Sequence, residues 1–339
     1  MSNLVTTFGA LAPRPSSLAP MRRLGNSELI STPVAMGCWP IAGITSIDVH
    51  ESSSLDTLRA AFDAGLNHFD SAWNYGFDGE SERLIARALG HVRDQLIIAT
   101  KCGLHWEQGV RAWDARPATI HQRCHDSLQR LNTDRIDLYY LHAPDPNVPL
   151  AETAGAFREL LDAGKIRAVG VSNLRTVEQF EEFAAVCPLS AAQLHYNMLQ
   201  REIEVDLVPW CRRQNVAVCI YWPLMKGFLA GKLPRDHRWD PKDGRQKYPV
   251  FQGAEWDKTH DFLDRLRPIA AATELTLAQL VVAWTIQRPG ITVALCGAKH
   301  PDQIRETAAA MSVSLSAAQI AEIDAAIEAR GSVPSVPAV

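Results

Sequence analysis

The chain has 339 residues, of which 47% are hydrophobic, and its 34 Lys and Arg against 38 Asp and Glu give a formal net charge of -4. This length allows one large α/β barrel or two average domains, with ample apolar material for a sizeable core. The slightly acidic balance, without any basic run, argues against a nucleic-acid-binding surface. No apolar run approaches the ~18 residues of a membrane span, so we expect no membrane partner.

Both ends of the chain are predicted to be tails. Residues 1–20 are rich in proline and serine and lack a basic start and an apolar segment, which is typical of a flexible tail and not of a signal peptide. We therefore expect a single domain over residues 21–331 and a C-terminal tail over residues 332–339. The seven cysteines are odd in number and scattered, which indicates reduced, mostly buried thiols in a cytoplasmic protein.

Short apolar segments and amphipathic segments alternate along this domain. A turn at residues 25–27 between two short apolar pieces first predicts an N-terminal β-hairpin. Eight segments rich in Val, Ile, Leu and Ala then predict strands, over residues 34–38, 66–70, 96–101, 136–142, 166–171, 191–195, 216–221 and 291–296. The intervening segments predict helices, over residues 53–64, 81–89, 120–131, 152–162, 177–186, 204–214, 258–272, 277–287 and 302–310. A last amphipathic segment, residues 316–330, predicts an extra C-terminal helix.

The eight predicted strands are continuous apolar runs, which is typical of an all-parallel sheet covered by helices. Eight strand-helix units close most economically into a barrel. The alternative, a doubly wound open sheet, would carry a glycine-rich turn after its first strand, and no G-x-G-x-x-G motif occurs. We therefore predict an α/β protein, a (β/α)8 TIM barrel with an N-terminal β-hairpin and an extra C-terminal helix.

Polar side chains stand at the ends of three successive predicted strands. Asp70 ends the second strand, Lys101 the third and His142 the fourth. Tyr75 follows Asp70 in the adjoining loop. Because the active sites of such barrels lie at the carboxyl ends of the strands, we expect these four side chains to lie close together.

Together these four side chains could protonate a carbonyl oxygen. A phenol is a weak acid, but an ammonium about 4 Å away stabilises its anion by roughly 4 kcal/mol at an effective dielectric constant near 20. We therefore expect Lys101 to make Tyr75 more acidic, with Asp70 keeping the lysine charged and His142 donating to the substrate or relaying a proton. No side chain supplies hydride, so this chemistry requires a nicotinamide. The alternative is a structural ion pair beside two loop-capping residues.

Three motifs resemble those of the aldo-keto reductase family: the segment FDSAWNYG over residues 69–76, a TK pair after the third strand and an LH pair after the fourth. The resemblance extends from about residue 22 to residue 330. It implies that Asp70, Tyr75, Lys101 and His142 are catalytic, with Tyr75 as the acid/base. It also implies that NADPH binds in an extended pose without a Rossmann fold.

Two later segments resemble the parts of that family that hold the nicotinamide end of the cofactor. The segment GVSN over residues 170–173 implies contacts to the carboxamide, and YWPLMKGFLAGK over residues 221–232 implies a stacked ring and a wall along the pyrophosphate. Taken singly, the first segment is more typical of a helix cap. The residues so implied are Ser172, Asn173, Gln193, Tyr221, Leu224 and Gly227.

The segment after the eighth strand predicts an anion site, because a glycine turn leads into a helix N-terminus. It resembles the family's PG-x-[RK]-x-x-x-Q-x-x-EN segment, which implies that Lys299 neutralises a 2′-phosphate and that Glu306 binds the adenine. Cys296 and Thr307 depart from that pattern. The cofactor is therefore predicted to be NADP(H), with NAD(H) as an alternative. The residues implied at this end are Gly297, Lys299, Gln303 and Glu306.

Five tryptophans lie in the predicted loops at the mouth of the barrel. Indoles around a carbonyl site favour an apolar or aromatic aldehyde or ketone, or a sugar that stacks on them. Packing within the loops is the alternative for each of them. The predicted pocket residues are Trp39, Trp73, Trp106, Trp113 and Trp222.

The sequence therefore predicts an NADP(H)-dependent reductase of aldehydes or ketones, or in reverse a dehydrogenase of alcohols or sugars. One alternative is a cofactor-binding regulatory protein of the same fold, such as the potassium-channel β subunits of the family. Another is a metal-dependent barrel hydrolase, which would carry His-x-His after the first strand, where residues 37–39 read GCW. We therefore expect no metal. The sequence carries no indication of the oligomeric state.

Overall fold

The computed structural model describes residues 21–44 and 46–333, so the predicted tail over residues 1–20 and most of the predicted C-terminal tail lie outside the described residues. In chain order the strands are β1 (Arg22–Arg23), β2 (Ile30–Ser31), β3 (Val34–Gly37), β4 (His68–Asp70), β5 (Ile97–Cys102), β6 (Leu104–Glu107), β7 (Val110–Trp113), β8 (Ile136–Leu141), β9 (Ile166–Ser172), β10 (Ala191–His195), β11 (Ala217–Tyr221) and β12 (Val293–Gly297). The helices are α1 (Glu51–Asp63), α2 (Glu80–Leu89), α3 (Pro117–Leu131), α4 (Leu150–Asp162), α5 (Val177–Ala184), α6 (Leu207–Arg213), α7 (Gly253–Ala272), α8 (Leu277–Ile286), α9 (Pro301–Ala309) and α10 (Ala317–Arg330).

Eight of these strands close into a barrel in the order β3, β4, β5, β8, β9, β10, β11 and β12. Every neighbouring pair is parallel, and β12 returns to pair with β3. Each of the eight apolar segments that predicted a strand contributes one of them. The predicted (β/α)8 TIM barrel, with its N-terminal β-hairpin of β1 and β2 and its extra C-terminal helix α10, is confirmed.

The interior of the barrel is filled mainly by small side chains, among them Ala35, Ala99 and Ala168. The large exception is Tyr140 on β8, which is fully buried. Space for its ring comes from Gly170 on β9, where an added Cβ would lie 2.2 Å from Tyr140 Cε1. A close-packed interior of this kind is a core and not a channel, so ligands have access only to an end of the barrel.

The N-terminal hairpin closes the amino end of the barrel. Leu24 and Leu29 are buried in the same cluster as the interior side chains. The Arg22 guanidinium donates to the backbone carbonyl of Ile286 at the end of α8 and to those of Ile291 and Thr292 immediately before β12. The carboxyl ends of the strands are therefore the end that remains available for a site.

A second hairpin, formed by the antiparallel strands β6 and β7, lies between β5 and α3. The sequence-based prediction of a loop here was wrong. Its turn residues Gln108 and Gly109 both have a positive φ, 49° and 80°, as in a two-residue type I′ turn. The hairpin follows directly on the strand that holds Lys101, so it stands beside the carboxyl ends of the strands.

The helices differ from their predicted bounds mainly at their ends. α7 begins at Gly253, five residues before the predicted start, and α6 is confined to Leu207–Arg213. Both α8 and α10 begin with a capping box in which a Thr or Ser side chain and a Gln side chain satisfy two backbone N–H groups. Among the described residues no single helix is both long and apolar enough to cross a membrane, and α7 and α8 meet the two criteria only as a pair, across a bend of 88°.

Candidate active site

A buried ion pair lies at the carboxyl ends of two neighbouring barrel strands. Lys101 on β5 is fully buried, and its Nζ donates to Asp70 Oδ1 on β4 at 2.5 Å and to the carbonyl of Ser71 at 2.7 Å. The second carboxylate oxygen, Asp70 Oδ2, accepts from Gln193 Nε2 of β10 at 2.7 Å. Three barrel strands thus hold the ammonium and the carboxylate in fixed positions.

Tyr75 stands above this pair in the loop after β4. Lys101 Nζ lies 3.3 Å from the Tyr75 hydroxyl and 4.7 Å from the centroid of its ring. The loop turns at Gly76, whose φ is 106° and where an added Cβ would lie 1.9 Å from Glu80 Oε2. Only glycine fits there, so this residue fixes the position from which Tyr75 reaches the lysine.

His142 follows β8 and faces the same phenol. Its ring centroid lies 5.8 Å from that of Tyr75, at an interplanar angle of 69°. Its Nδ1 is buried and meets no hydrogen-bond partner among the described residues. The four side chains predicted from the strand ends are therefore brought together, with an imidazole that retains hydrogen-bonding capacity.

Burial sets the direction of the pKa shifts of Tyr75 and His142. It raises the pKa of the Tyr75 phenol above its ordinary value, although the charge of Lys101 lowers it. The sequence led us to expect that Lys101 makes Tyr75 more acidic than a free phenol, and for the net pKa this is wrong. Desolvation of the buried phenolate raises the pKa by more than the attraction of the Lys101 ammonium lowers it. Burial and the charge of Lys101 place the pKa of His142 well below its ordinary value. At neutral pH the phenol is thus protonated and the imidazole is neutral.

Lys101 itself stays charged. Burial disfavours its ammonium, but the Asp70 carboxylate and the Tyr75 oxygen outweigh that effect and raise the pKa of Lys101 above its ordinary value. Burial also raises the pKa of Asp70, against the opposing effects of Lys101 and Gln193. The arrangement therefore offers a protonated phenol beside a positive charge that can stabilise the phenolate when the proton leaves.

The residues predicted to hold a carboxamide lie next to this group. Asn173 follows β9 with a φ of 59°, and its Nδ2 donates to the His142 carbonyl at 2.8 Å and to Ser172 Oγ at 3.1 Å. The Tyr221 hydroxyl donates to Asn173 Oδ1 at 3.1 Å. The Tyr221 ring stacks on His195 with centroids 5.4 Å apart. The Gln193 nitrogen, predicted to complete the carboxamide contact, is used within the protein by Asp70.

This set has the chemistry that a nicotinamide needs. A carboxamide requires donors and acceptors, which Ser172 and Asn173 provide at the strand end, and the ring requires an aromatic face, which Tyr221 provides. The buried Nδ1 of His142, which has no hydrogen-bond partner in the part of the chain that the structure describes, is a polar atom that a bound molecule could satisfy. The residues present therefore fit the nicotinamide end of a dinucleotide.

The loop after β11 contains the residues predicted along a pyrophosphate. It includes a run of positive φ angles at Met225, Lys226 and Gly227, of 45°, 54° and 91°. Leu224 is partly buried against the outer core, and its carbonyl accepts the Gly227 N–H at 2.9 Å. This backbone turns sharply at the edge of the barrel mouth.

The four residues predicted at the adenosine end lie around the start of α9. Gly297 ends β12, and the Lys299 N–H donates to Gln303 Oε1 at 2.8 Å. Lys299 Nζ donates to the Ile47 carbonyl at 2.9 Å, so its ammonium lies beside the loop before α1. Glu306 pairs with Lys232, a partner that the sequence did not predict.

The five tryptophans do not form one pocket. The Trp39 ring meets the Tyr75 ring edge-on at 5.0 Å, and Trp106 Nε1 donates to the Asn74 carbonyl at 2.9 Å in the same loop. Trp222 stands beside Tyr221, with centroids 5.5 Å apart. These three therefore surround the candidate site.

The other two tryptophans point elsewhere. Trp73 Nε1 donates to Asp126 on α3, and its ring packs between two arginines of that helix, Arg123 and Arg130. The side chain of Trp113 at the end of β7 is 44% exposed and lines a shallow surface cavity with His105 and Asp114. Neither was expected there, because the sequence assigned them to loops without fixing the direction of their side chains.

Two cations near the site were missed by the sequence-based prediction. Arg111 on β7 places its guanidinium carbon 5.1 Å from the Trp39 ring and 5.5 Å from the Trp106 ring. Lys226 Nζ lies 3.3 Å from the Trp222 ring centroid and 4.4 Å from that of Tyr248. The Gln108-Gly109 pair could have indicated a hairpin here. Because a strand places alternate residues on one face, a predicted hairpin would have drawn attention to the direction of Arg111.

The described residues form neither a cluster of metal-ligating side chains nor a disulfide. Among residues 21–44 and 46–333, no three His, Cys, Asp or Glu side chains are grouped so that they could hold a metal ion. All seven cysteines are buried and none forms a disulfide. Burial raises the pKa of several of these thiols, to about 12 in the case of Cys296.

Comparisons with known proteins agree with this geometry. A model described as the Aldo/keto reductase family matches residues 33–328. Aldo-keto reductase YhdN of Bacillus subtilis (strain 168) is 36% identical over 284 residues, which cover 83% of this chain and 85% of that protein. The NADH-specific methylglyoxal reductase of Escherichia coli (strain K12) is 32% identical over 309 residues, covering 86% and 94%.

Solved structures of aldo-keto reductases are also similar to this chain. Glycerol dehydrogenase AKR11B4 from Gluconobacter oxydans superimposes with a TM-score of 0.86 and 32% identity, covering 94% of this chain and 98% of that one. An aldo/keto reductase from Klebsiella pneumoniae, solved in complex with NADP and acetate, has a TM-score of 0.70 and 28% identity, covering 90% and 95%. With a family model matched over most of its length and relatives of this similarity, the chain belongs to the aldo/keto reductase family.

Proposed function

We propose that the chain is an NADP(H)-dependent oxidoreductase that reduces aldehydes or ketones, or in reverse oxidises alcohols or sugars. The observation that carries this proposal is the position of the Tyr75 hydroxyl, 3.3 Å from the Lys101 ammonium, which itself lies 2.5 Å from Asp70. This arrangement is suited to proton transfer at an oxygen atom. The family membership of the chain supports the same class of reaction.

In this proposal Tyr75 is the general acid. It carries its proton at neutral pH, because burial raises its pKa, and donates that proton to the carbonyl oxygen as negative charge develops there. Lys101 stabilises the phenolate that remains, and Asp70 keeps the ammonium charged and in place. Bound NADPH supplies the hydride that the carbonyl carbon receives.

His142 takes a different role from Tyr75. Its pKa lies well below the ordinary value because of burial and the charge of Lys101, so the ring is neutral at neutral pH. A neutral imidazole can orient the carbonyl oxygen by donating one N–H, but it is a poor proton source. We therefore assign His142 to substrate orientation and Tyr75 to proton transfer.

The choice of cofactor rests on Lys299. An ammonium at the start of α9 can neutralise the 2′-phosphate that distinguishes NADP(H) from NAD(H). The Klebsiella pneumoniae protein was solved with NADP, whereas the Escherichia coli relative is named NADH-specific. We therefore propose NADP(H) as the preferred cofactor of this chain, with NAD(H) as an alternative.

The proposal is tested by Tyr75→Phe, which removes the hydroxyl and keeps the ring. We expect kcat for carbonyl reduction to fall by a factor of about 100 or more, the usual contribution of a general acid, with the Kd for NADPH nearly unchanged. Consumption of NADPH at saturating aldehyde and fluorescence titration of the cofactor measure the two quantities.

Tyr139→Phe is the matched control. Tyr139 lies on β8 in the outer core, where its ring packs on Phe157 of α4. Loss of its hydroxyl should leave kcat within about threefold of the original value. Retention of full activity by Tyr75→Phe would contradict the assignment of the proton donor.

A further inference from the structure

The guanidinium of Arg111 is held at the mouth of the candidate site. The β6–β7 hairpin presents it to two indoles, with 5.1 Å to the Trp39 ring and 5.5 Å to the Trp106 ring. Trp39 in turn meets the Tyr75 ring at 5.0 Å. The Trp39 indole thus contacts both the guanidinium and the ring of the proposed proton donor, and cation–π contacts limit where the guanidinium can point.

Positive charge also converges on this mouth from the loop after β11. Lys226 is partly buried between the Trp222 and Tyr248 rings. Burial and the neighbouring charges of Lys247, Arg111 and Arg245 lower its pKa to about 7. A group of cations that depresses a lysine pKa is a region in which an anion is favoured.

The charge of Arg111 reaches the reacting groups themselves. It lowers the pKa of Tyr75 and of His142, although burial has the larger effect on both. The charge of Arg111 also acts to lower the pKa of Tyr221, which burial raises. The guanidinium therefore lies within electrostatic range of these three rings, beside which a substrate carbonyl has to lie if Tyr75 is the proton donor.

We propose that Arg111 selects carbonyl substrates that carry a carboxylate or a phosphate group, by binding this anion while the carbonyl oxygen lies at Tyr75. The inference rests on the proposed function and adds to it the chemical class of the substrate. A guanidinium suits the role because its fork of N–H donors matches the oxygens of both anions. The indoles of Trp39 and Trp106 then orient the cation and line the pocket beside it.

The experiment compares two aldehydes of nearly the same shape, 4-carboxybenzaldehyde and its neutral methyl ester. For Arg111→Gln we expect kcat/KM to fall about 10- to 100-fold for the acid, mostly through KM, and less than about threefold for the ester. Arg111→Lys, which keeps the charge, should recover most of the loss. Arg158→Gln removes a cation from an exposed ion pair on α4 and should change neither value.

A second measurement needs no variant. For the unaltered protein, kcat/KM for the acid should fall as salt is raised to physiological strength, and kcat/KM for the ester should stay constant. An equal loss for both aldehydes in Arg111→Gln, or an equal salt dependence, would overturn the inference. So would a weaker Kd for NADPH in Arg111→Gln, because the guanidinium would then serve the phosphates of the cofactor. Failure of the proposed function would be distinct, since neither aldehyde would be consumed.

Discussion

The buried side chain of Lys101 makes contacts on which both the fold and the proposed reaction depend. Its ammonium is fully buried and bonds to Asp70, to a backbone carbonyl and to the Tyr75 hydroxyl. Removing one partner of a buried ion pair leaves the other charge uncompensated, which costs about 3–5 kcal/mol of folding free energy. We therefore expect a single substitution of Lys101 to change stability and activity together.

A double substitution separates these two roles. We expect Lys101→Met to unfold at lower temperature and to lose carbonyl reduction by a factor of about 100 or more. Adding Asp70→Asn removes the unpaired carboxylate, so the double variant should recover much of the stability and none of the activity. Thermal unfolding and NADPH consumption measure the two effects. Recovery of activity in the double variant would show that the pair is only structural.

The sequence predicted which residues lie in the candidate site better than it predicted their pKa shifts. Asp70, Lys101 and His142 were found because each ends a predicted strand, and parallel strands bring their carboxyl ends together. The net pKa shift of Tyr75 was not predictable, because it depends on how deeply the surrounding structure buries the phenol. The direction of Trp73 toward α3 was missed for a similar reason, since loop residues follow no side-chain period.

The connection between β12 and α9 contains Lys299, on which the proposed preference for NADP(H) rests. The Lys299 ammonium bonds to the Ile47 carbonyl, and its N–H bonds to Gln303 within the first turn of α9. A bound 2′-phosphate would lie near both this cation and the helix N-terminus, where anions are stabilised. The position of Lys299 is thus set by neighbouring backbone before any cofactor binds.

We expect Lys299→Ala to weaken NADPH about tenfold and to leave the Kd for NADH within about threefold, because NADH has no 2′-phosphate to neutralise. Fluorescence titration with each dinucleotide measures both values. Lys258→Ala is the matched control, since Lys258 forms an exposed pair with Glu255 on α7. An equal loss for the two cofactors would show that Lys299 does not discriminate between them.

The barrel strands were predictable because their short, continuous apolar runs do not show the 3.6-residue period of an amphipathic helix. Each predicted strand matches an observed strand within about two residues at either end. The β6–β7 hairpin was not predicted, since Gln108-Gly109 is a weaker turn signal than Asn-Gly and both strands are short. Because the hairpin was not predicted, the position of Arg111 near the site was not predicted either. The hairpin that the sequence did not predict thus carries the residue that our inference about the substrate depends on.

For the whole molecule, the closed barrel explains why the candidate site lies at the carboxyl ends of the strands. Small side chains and Tyr140 fill its interior, and the β1–β2 hairpin covers its amino end. Strands β4, β5, β8 and β10 deliver the central residues to the carboxyl end. We propose that residues 21–331 form one domain on this basis. The fold was predictable from the sequence because the eight-fold alternation admits few other topologies.

We propose as the complete reaction that the protein transfers hydride from a nicotinamide to a carbonyl carbon. Reduction of 4-carboxybenzaldehyde and its methyl ester with NADPH deuterated at the transferable C4 position, followed by mass spectrometry of the alcohol, tests it most directly. We expect one deuterium in the product for each cofactor oxidised, located at the carbinol carbon. Tight binding of NADPH without any labelled alcohol, across these and other aldehydes and ketones, would contradict the claim and favour a cofactor-binding regulatory protein.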